Sequence, residues 1–407
     1  MSTTFESLRG SRNFRKYYIG QTISLAGTWM QSVAQGWLVL RISGSITQVG
    51  IAAAAQTLPI LLLSPSAGVL IDRYDTKRIL MVTQVGAGIL AAALGTLVEV
   101  GWARLWVVYL LAVCLGTITA IDNPARQTFV SELVPPELLG NAVTLNTISI
   151  NAARVIGPAV AAAVIALTDV GPCFFVNALS FLAVVIALLR IKPGELIPRH
   201  RERAHRGQLV DGLRYVWGTP QLRVPLVMMA LIGTLTYEFM VSLPAMAAKT
   251  FHGSASTFGV MTGAMGFGAV VGGLVTARRL RYGTPMLIRQ AILFGLLVIA
   301  AAISPTLPVA VLVLTTVGAA SLVFLTRANT TIQLLAEPEM RGRVMALWTV
   351  AFLGTTPVGA PTIGYIGEHA GPRWALLVGG LTAIVAAGYG AVGLRRAEIP
   401  ALAVANR

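Results

Sequence analysis

The sequence predicts an all-α membrane protein with twelve transmembrane helices arranged in two pseudo-symmetric six-helix bundles. Three observations predict this fold: a low charged fraction, long apolar blocks, and a one-sided distribution of Lys and Arg. Only 12% of the 407 residues are charged and 55% are hydrophobic, whereas soluble domains are about 25% charged. A soluble protein of this length needs more polar surface to cover its core, so composition excludes that class.

Turn and charge signals divide the apolar sequence into twelve segments, each close to the roughly 20 residues that cross a bilayer as a helix. Each segment is expected to be helical, because lipid offers no hydrogen-bond partner to a free backbone group. The predicted spans are Tyr17–Leu40, Val49–Ile71, Ile79–Val98, Leu105–Ile121, Ala142–Leu167, Cys173–Leu189, Val224–Ala247, Phe258–Ala277, Met286–Ile303, Pro308–Thr326, Val344–Ile366 and Trp374–Leu394.

The Lys and Arg residues orient these spans. If the N-terminus is cytoplasmic, the loops on the outside contain only Arg41, Arg104, Lys249 and Arg373, and Arg154 lies within a span; all the other Lys and Arg residues, of 31 in total, fall on the cytoplasmic side. Cytoplasmic loops of membrane proteins have this excess of basic residues. The pattern predicts that both termini are cytoplasmic. It also explains the formal net charge of +15 without a nucleic-acid partner.

The longest polar stretch separates six spans from six. We therefore predict an N-terminal bundle at residues 1–190, a cytoplasmic linker with an amphipathic helix at 191–223, and a C-terminal bundle at 224–407. The two halves match at one constant offset without a gap, which predicts paired halves of the kind found in transporters. The matched pairs are Gly116 with Gly318, Pro136 with Pro338, Glu137 with Glu339, Gly140 with Gly342, Leu145 with Leu347, and Gly157 with Gly359.

The loop after the second span has a distinctive set of residues, namely Gly68, Asp72, Arg73, Lys77 and Arg78. It resembles the signature cytoplasmic loop of the major facilitator superfamily, except that Asp75 replaces the second glycine. We interpret it as a gating loop in which Gly68 permits close helix approach and Asp72 accepts hydrogen bonds in one transport state. A generic basic loop is the alternative. Arg126, in the predicted loop after the fourth span, is assigned to the same gate.

A second set of motifs is more specific. The stretch Asp122–Glu137, the Gly157-Pro158 pair and the stretch Gly371–Trp374 resemble the bacterial exporter branch of that superfamily, which includes the enterobactin exporter and drug:proton antiporters. The resemblance implies alternating access, a bacterial inner-membrane location and export of a small organic molecule.

Two departures from the family pattern bear on proton coupling. Alanines replace expected helix-5 glycines at Ala153, Ala161 and Ala162, and Thr28 stands where many relatives have an acid. Both put proton coupling through these helices in doubt.

Few polar residues lie inside the predicted spans, and such residues normally face a bundle interior or a wet cavity. Glu238, beside Tyr237, is the only Asp or Glu well inside any predicted span. We predict that it binds the coupled proton or the substrate, with a structural hydrogen-bonding role as the alternative.

Two further sets of polar residues share helix faces. In span 5, Asn151 and Arg154 share a helix face. This face either lines the proton or substrate site or packs against the glycines of span 8. In span 1, Thr28, Gln31 and Gln35 share a face with Gln56 of span 2 nearby, and they either line a cavity or bond between helices.

The sequence predicts no enzyme. It contains neither a phosphate-binding loop for ATP nor a metal-binding or catalytic residue set, and we expect no cofactor. We predict a secondary transporter that exports small amphipathic organic molecules, with the lipid bilayer, the substrate and protons as its partners. Uptake or facilitated transport of a metabolite, and a non-transporting membrane sensor or scaffold, remain as alternatives. The substrate itself is left open.

Overall fold

The structure is a computed structural model that describes residues 5–197, 208–276, 283–337 and 340–405, and these residues form helices with no β-strand. The N-terminal half contains seven α-helices and a short 3₁₀ turn at Pro193–Glu195. The helices are α1 (Glu6–Gly10), α2 (Arg12–Ser43), α3 (Ile46–Arg73), α4 (Thr76–Glu99), α5 (Leu105–Leu133), α6 (Pro136–Leu167) and α7 (Gly171–Leu189).

The rest of the described chain contains nine α-helices and a π-helical turn at Met246–Thr250. The helices are α8 (Gln208–Gly218), α9 (Pro220–Leu235), α10 (Phe239–Ala245), α11 (Ala255–Thr276), α12 (Thr284–Ala302), α13 (Leu307–Leu335), α14 (Arg341–Leu353), α15 (Thr356–His369) and α16 (Pro372–Ala405). Helix α8 lies where the sequence predicts the amphipathic helix of the linker, and its cytoplasmic position stays a prediction. Residues 198–207 of the linker lie outside the described residues.

Eleven helical segments within the described residues are long and apolar enough to cross a membrane. The remaining predicted span, the first, corresponds to α2, whose 32 residues extend about 48 Å at 1.5 Å per residue, more than the bilayer core of about 30 Å. Its many Gln, Ser and Thr residues give α2 a lower hydropathy than the other spans. The predicted all-α membrane fold is confirmed.

Two spans that the sequence predicts as continuous are broken in the structure. The seventh consists of α9 and α10, which are separated by Thr236–Glu238, and the eleventh consists of α14 and α15. Glu238 has a ψ of 41°, far from the helical value of about −42°. At the second break, Pro357 lies in the first turn of α15. Because proline has no N–H, it cannot continue the hydrogen-bond ladder of α14.

The predicted end of the fourth span at Ile121 is also wrong. Helix α5 continues to Leu133, with Pro124 inside it. Asp122 and Arg126 are therefore helical residues one turn apart rather than loop residues. The charges of the two side chains offset each other through an ion pair, which explains how a charged turn can extend an apolar helix.

The chain divides into two compact units, which are described separately. The first comprises Met1–Gly44, Ala55–Ala204 and Ser254–Gly263; the second comprises Ser45–Ala54, His205–Gly253 and Ala264–Arg407. In the first unit, α2 packs on α6 and α7, and α4 packs on α5 and α7. In the second unit, α12 packs on α13 and α16, and α9 packs on α14, α15 and α16. The domain limits drawn from the sequence stay a prediction.

One pair of glycines matched by the internal repeat, Gly116 and Gly318, occupies equivalent close contacts. A Cβ on Gly116 would overlap the carbonyl group of Gln56 in α3, and a Cβ on Gly318 would overlap that of Met265 in α11. Because glycine has no side chain, the helix backbones can approach closely at these positions. Both units therefore use a repeat glycine to join their second and fourth predicted spans.

Candidate functional site

Glu238 lies at the break between α9 and α10 and is only 6% exposed. Its backbone carbonyl accepts hydrogen bonds from the N–H groups of Val241 and Ser242, at 3.1 Å each, and so begins α10. The break ends one helix and begins another beside a carboxyl group. Discontinuous helices of this kind form substrate and ion sites in secondary transporters.

The carboxyl group of Glu238 faces the second broken span. It forms a side-chain hydrogen bond with Thr356, the first residue of α15. A Cβ on Gly359 would lie 3.2 Å from its Oε1 and would overlap the carbonyl oxygen of Thr234. The carboxyl group therefore lies beside the N-terminus of α15, which is the positive end of the helix dipole.

Tyr237 is held by contacts on several sides. Its hydroxyl donates to the carbonyl oxygen of Ser321 at 2.9 Å, and its ring packs edge-on against Phe352 with centroids 5.2 Å apart. Phe239 and Phe294 also pack against the ring. The neighbour of Glu238 is thus part of an aromatic cluster in the second unit, which holds the break in place.

The predicted polar face of α2 lines a cavity of about 130 Å³ in the first unit. Thr28, Gln31 and Gln35 lie on its wall, and Gln56 of α3 joins them. Gln35 Nε2 donates to Gln56 Oε1 at 3.4 Å. Gln31 Oε1 accepts from Asn177 Nδ2 at 2.6 Å. Both alternatives left open by the sequence are therefore realised, since these amides line a cavity and also bond between helices.

Asp122 is a buried acid in the same unit, 5% exposed, which the sequence reasoning missed. Its Oδ1 accepts from Thr83 Oγ1 at 2.6 Å and from Gln84 Nε2 at 2.8 Å, and its Oδ2 accepts from Arg126 Nε. Asp122 is therefore a second buried acid, beside Glu238, within the apolar helical segments of the described residues. The signal available in the sequence was the four-residue spacing of Asp122 and Arg126, which is the spacing of an intrahelical ion pair.

The predicted polar face of α6 has its own set of contacts. Asn151 Nδ2 donates to the Thr147 carbonyl oxygen one turn earlier at 2.9 Å, and the Arg154 guanidinium lies 5.2 Å from the ring centroid of Trp29 in α2. None of the described residues that line the first-unit cavity comes from α6. The structure thus brings Arg154 to a helix–helix contact and not to that cavity.

The Gly157-Pro158 motif lies inside α6, with both residues buried. A Cβ on Gly157 would lie 2.7 Å from the Ala26 carbonyl oxygen of α2. The small-residue face predicted for span 8 also packs on α6, since a Cβ on Gly259 would lie 2.6 Å from the Cβ of Ala162. The motif therefore serves close packing of α6 with its neighbours in the first unit.

The predicted gating loop is shorter than expected because α3 runs to Arg73 and α4 begins at Thr76. No described atom lies within 4 Å of a Cβ position on Gly68, so the close helix approach predicted there is wrong. The side chain of Asp72 lies outside the described residues, and those of Arg73 and Arg78 are exposed.

Other contacts hold this connection. Asp75 Oδ1 accepts from the Arg78 N–H at 2.8 Å and caps α4. Lys77 Nζ donates to the Ile191 carbonyl oxygen at 2.9 Å, which fixes the start of α4 to the residues that follow α7.

Among the described residues, no group of three or more His, Cys, Asp or Glu side chains could hold a metal ion. In the part of the chain that the structure describes, two polar sites are the strongest candidates, one in each unit: the Glu238 break, and the amide-lined cavity with the Asp122–Arg126 pair. Buried polar sites inside apolar spans are typical of membrane transport proteins.

Comparison with known protein families agrees with the class of membrane transport proteins. The chain belongs to the transmembrane secretion effector family of the major facilitator superfamily, which matches residues 2–405. It is accordingly a multi-pass bacterial membrane transporter and not an enzyme.

Three relatives of known name match the chain over two thirds of its length or nearly so. The chain is 28% identical to the multidrug efflux pump Tap of Mycobacterium tuberculosis, over 86% of this chain and 85% of the relative. It is 26% identical to the staphyloferrin A transporter of Staphylococcus aureus, over 66% and 68%, and 24% identical to the enterobactin exporter EntS of Citrobacter koseri, over 91% and 89%. The predicted resemblance to exporters of this superfamily is confirmed.

The fold is shared with solved transporters. The crystal structure of the nucleoside transporter NupG superimposes with a TM-score of 0.75, covering 94% of this chain and 99% of that one, at 11% sequence identity. At this identity the match concerns the fold alone, and it supports the predicted architecture.

Proposed function

We propose that the protein exports small amphipathic organic molecules, of the drug or siderophore type, across the bacterial inner membrane by alternating access and in exchange for protons. Both termini are cytoplasmic in this proposal. The relatives that are named as an efflux pump and as an exporter support the outward direction. Glu238 is the proposed proton carrier.

The observation that carries the proton proposal is the place of Glu238. Its carboxyl group is buried at the break of one span and hydrogen-bonded to the first residue of a half-helix of another. A rigid-body movement of either broken span would alter the hydration of the carboxyl group and its distance from the α15 N-terminus. Because both affect the balance between its charged and neutral forms, the movement is coupled to proton binding and release.

The gating residues also belong to this proposal. The segment Gly68–Arg78 joins α3 to α4, and Lys77 and Asp75 fix its second half by the bonds described above. We place the state-dependent contacts at Asp72, Arg73 and Arg78. Arg126 is not included in the proposed gate, because it lies in α5 and forms an ion pair with Asp122.

The test measures substrate flux in proteoliposomes with an imposed pH gradient. The substrate is first found by comparing the accumulation of antibiotics and siderophores in cells with and without the gene, with and without a protonophore. Glu238→Gln keeps the shape of the side chain and removes its titration. We expect this variant to lose transport driven by the pH gradient. It should keep the exchange of substrate across the membrane when the pH is the same on both sides.

Glu99→Gln is the matched control, since Glu99 is an exposed acid at the end of α4 and its loss should leave flux unchanged. Equal gradient-driven flux in the wild type and in Glu238→Gln would remove Glu238 from the coupling mechanism. A substrate that accumulates inside cells because of the gene would overturn the outward direction.

A further inference from the structure

The amide-lined cavity lies wholly within the first unit and is formed by α2, α3, α4, α5 and α7. Glutamine and asparagine side chains dominate its polar wall. Each primary amide carries both a donor and an acceptor. A wall of this kind can match a ligand group that also carries both, such as a carboxamide or a hydroxyl.

Gln84 of α4 gives this wall an acceptor. The residue is 1% exposed, its Nε2 donates to Asp122, and its Oε1 has no hydrogen-bond partner among the described residues. A buried acceptor without a hydrogen-bond partner is unfavourable. A ligand N–H or O–H in the cavity would relieve this penalty.

Arg126 provides donors in the same cavity. Its Nε is bonded to Asp122 Oδ2, and its terminal nitrogens carry the remaining N–H groups of the guanidinium. The charges of Asp122 and Arg126 offset each other, so the cavity has no net charge to neutralise a charged ligand. Taking an unpaired charge into such a site is strongly unfavourable, which selects neutral ligands.

The remaining wall is apolar and is formed by Leu25, Ala87, Leu115, Ile118 and Phe181. Phe181 also packs in a small cluster with Ala87 and Ala91. An aromatic or aliphatic ligand body would bury its surface here. The cavity thus combines an apolar wall with a hydrogen-bonding wall of zero net charge.

We infer that this cavity binds a neutral amphipathic group of the transported molecule, consisting of a carboxamide or hydroxyl beside a small apolar body, with Gln35, Gln84 and Arg126 as its hydrogen-bond partners. The inference rests on the proposed function, because the group belongs to the exported substrate. It places a specificity site inside the first unit, apart from the Glu238 break in the second.

Direct binding to the purified protein in lipid nanodiscs tests this inference. The probe is tritiated benzamide, measured by scintillation proximity against empty nanodiscs. We expect saturable binding that unlabelled benzamide displaces, whereas benzoate and benzylamine, which have similar shapes but opposite charges, displace it roughly tenfold less well.

Three Gln-to-Met variants locate the site. Gln84→Met and Gln35→Met each remove hydrogen-bonding groups from the cavity wall, and each should weaken benzamide binding roughly five- to tenfold. Gln35 does not touch Asp122, so its variant keeps the test decisive if Gln84→Met fails to fold. Gln21→Met is the control, because Gln21 is an equally buried α2 glutamine that does not line the cavity.

Absence of saturable benzamide binding would overturn the inference. Equal displacement of the tritiated probe by benzamide, benzoate and benzylamine would overturn it as well. So would an unchanged affinity of the Gln35→Met variant for benzamide. The assay contains no gradient and measures no flux. Failure of proton-driven export would therefore leave its result intact, and a negative binding result would leave the coupling proposal standing.

Discussion

Arg126 donates from its Nε to Oδ2 of Asp122 one helical turn earlier, and this ion pair lies inside α5. Thr83 and Gln84 of α4 donate to the other carboxylate oxygen. The pair therefore links two helices of the first unit and forms one wall of its cavity. Removing one charge of a buried pair is more harmful than removing both, because the remaining charge is left without a partner.

Stability measurements on two variants test this pair. Asp122→Asn should destabilise the protein by about 2 kcal/mol, because it leaves the Arg126 charge uncompensated. The double variant Asp122→Asn with Arg126→Gln should recover much of this loss. The midpoint of thermal unfolding in detergent measures both.

Asp169→Asn is the control, since Asp169 belongs to the exposed pair with Arg41, where the expected loss is about 0–1 kcal/mol. Identical midpoints for the single and double variants would show that the two charges are uncoupled.

The repeat glycines divide into packed and open positions. Gly157→Ala and Gly359→Ala should lower the unfolding midpoint, because each added methyl group would meet a backbone carbonyl of the neighbouring helix. Gly140→Ala and Gly342→Ala should raise it slightly or leave it unchanged, since no described atom lies within 4 Å of either Cβ position and alanine is favoured over glycine in a helix by about 1 kcal/mol. Equal midpoints for all four variants would mean that the close contacts do not limit stability.

Two acids near the junction of α3 and α4 should respond differently to the same substitution. Asp75→Asn should transport at the wild-type rate, because asparagine caps a helix as well as aspartate does. Asp72→Asn should reach the membrane normally but transport more slowly, because removing the charge from the proposed gate contact shifts the balance between the transport states by about 1–3 kcal/mol. Turnover in proteoliposomes measures both. A wild-type rate for Asp72→Asn would exclude Asp72 from gating.

The proposed orientation predicts where reporter fusions are active. A fusion after Arg407 should report the cytoplasm, and one at the turn between α4 and α5, which contains Gly101 and Trp102, should report the outside. The reason is the excess of Lys and Arg in the loops assigned to the cytoplasm. Exchanged signals would invert the topology and overturn the proposed orientation.

The sequence by itself determined the features that depend on bilayer physics. Long apolar blocks must be helices, because lipid leaves no other way to satisfy the backbone. The motifs at Gly68–Arg78 and Asp122–Glu137 identified the superfamily that the comparison then confirmed. The shared face of Thr28, Gln31 and Gln35 followed from helical periodicity alone, and these three residues do line one cavity.

The tertiary structure decided which polar residues meet. Helical spacing places residues on a face of one helix, but it carries no information about the neighbouring helix, so the contacts of Asp122 with Thr83 and Gln84 could not be read from it. The breaks at Glu238 and before Thr356 are equally invisible to hydropathy, because apolar residues flank both. Hydropathy reports how a segment partitions between water and lipid, whereas a helix break depends on which side chains and carbonyl groups pack around it.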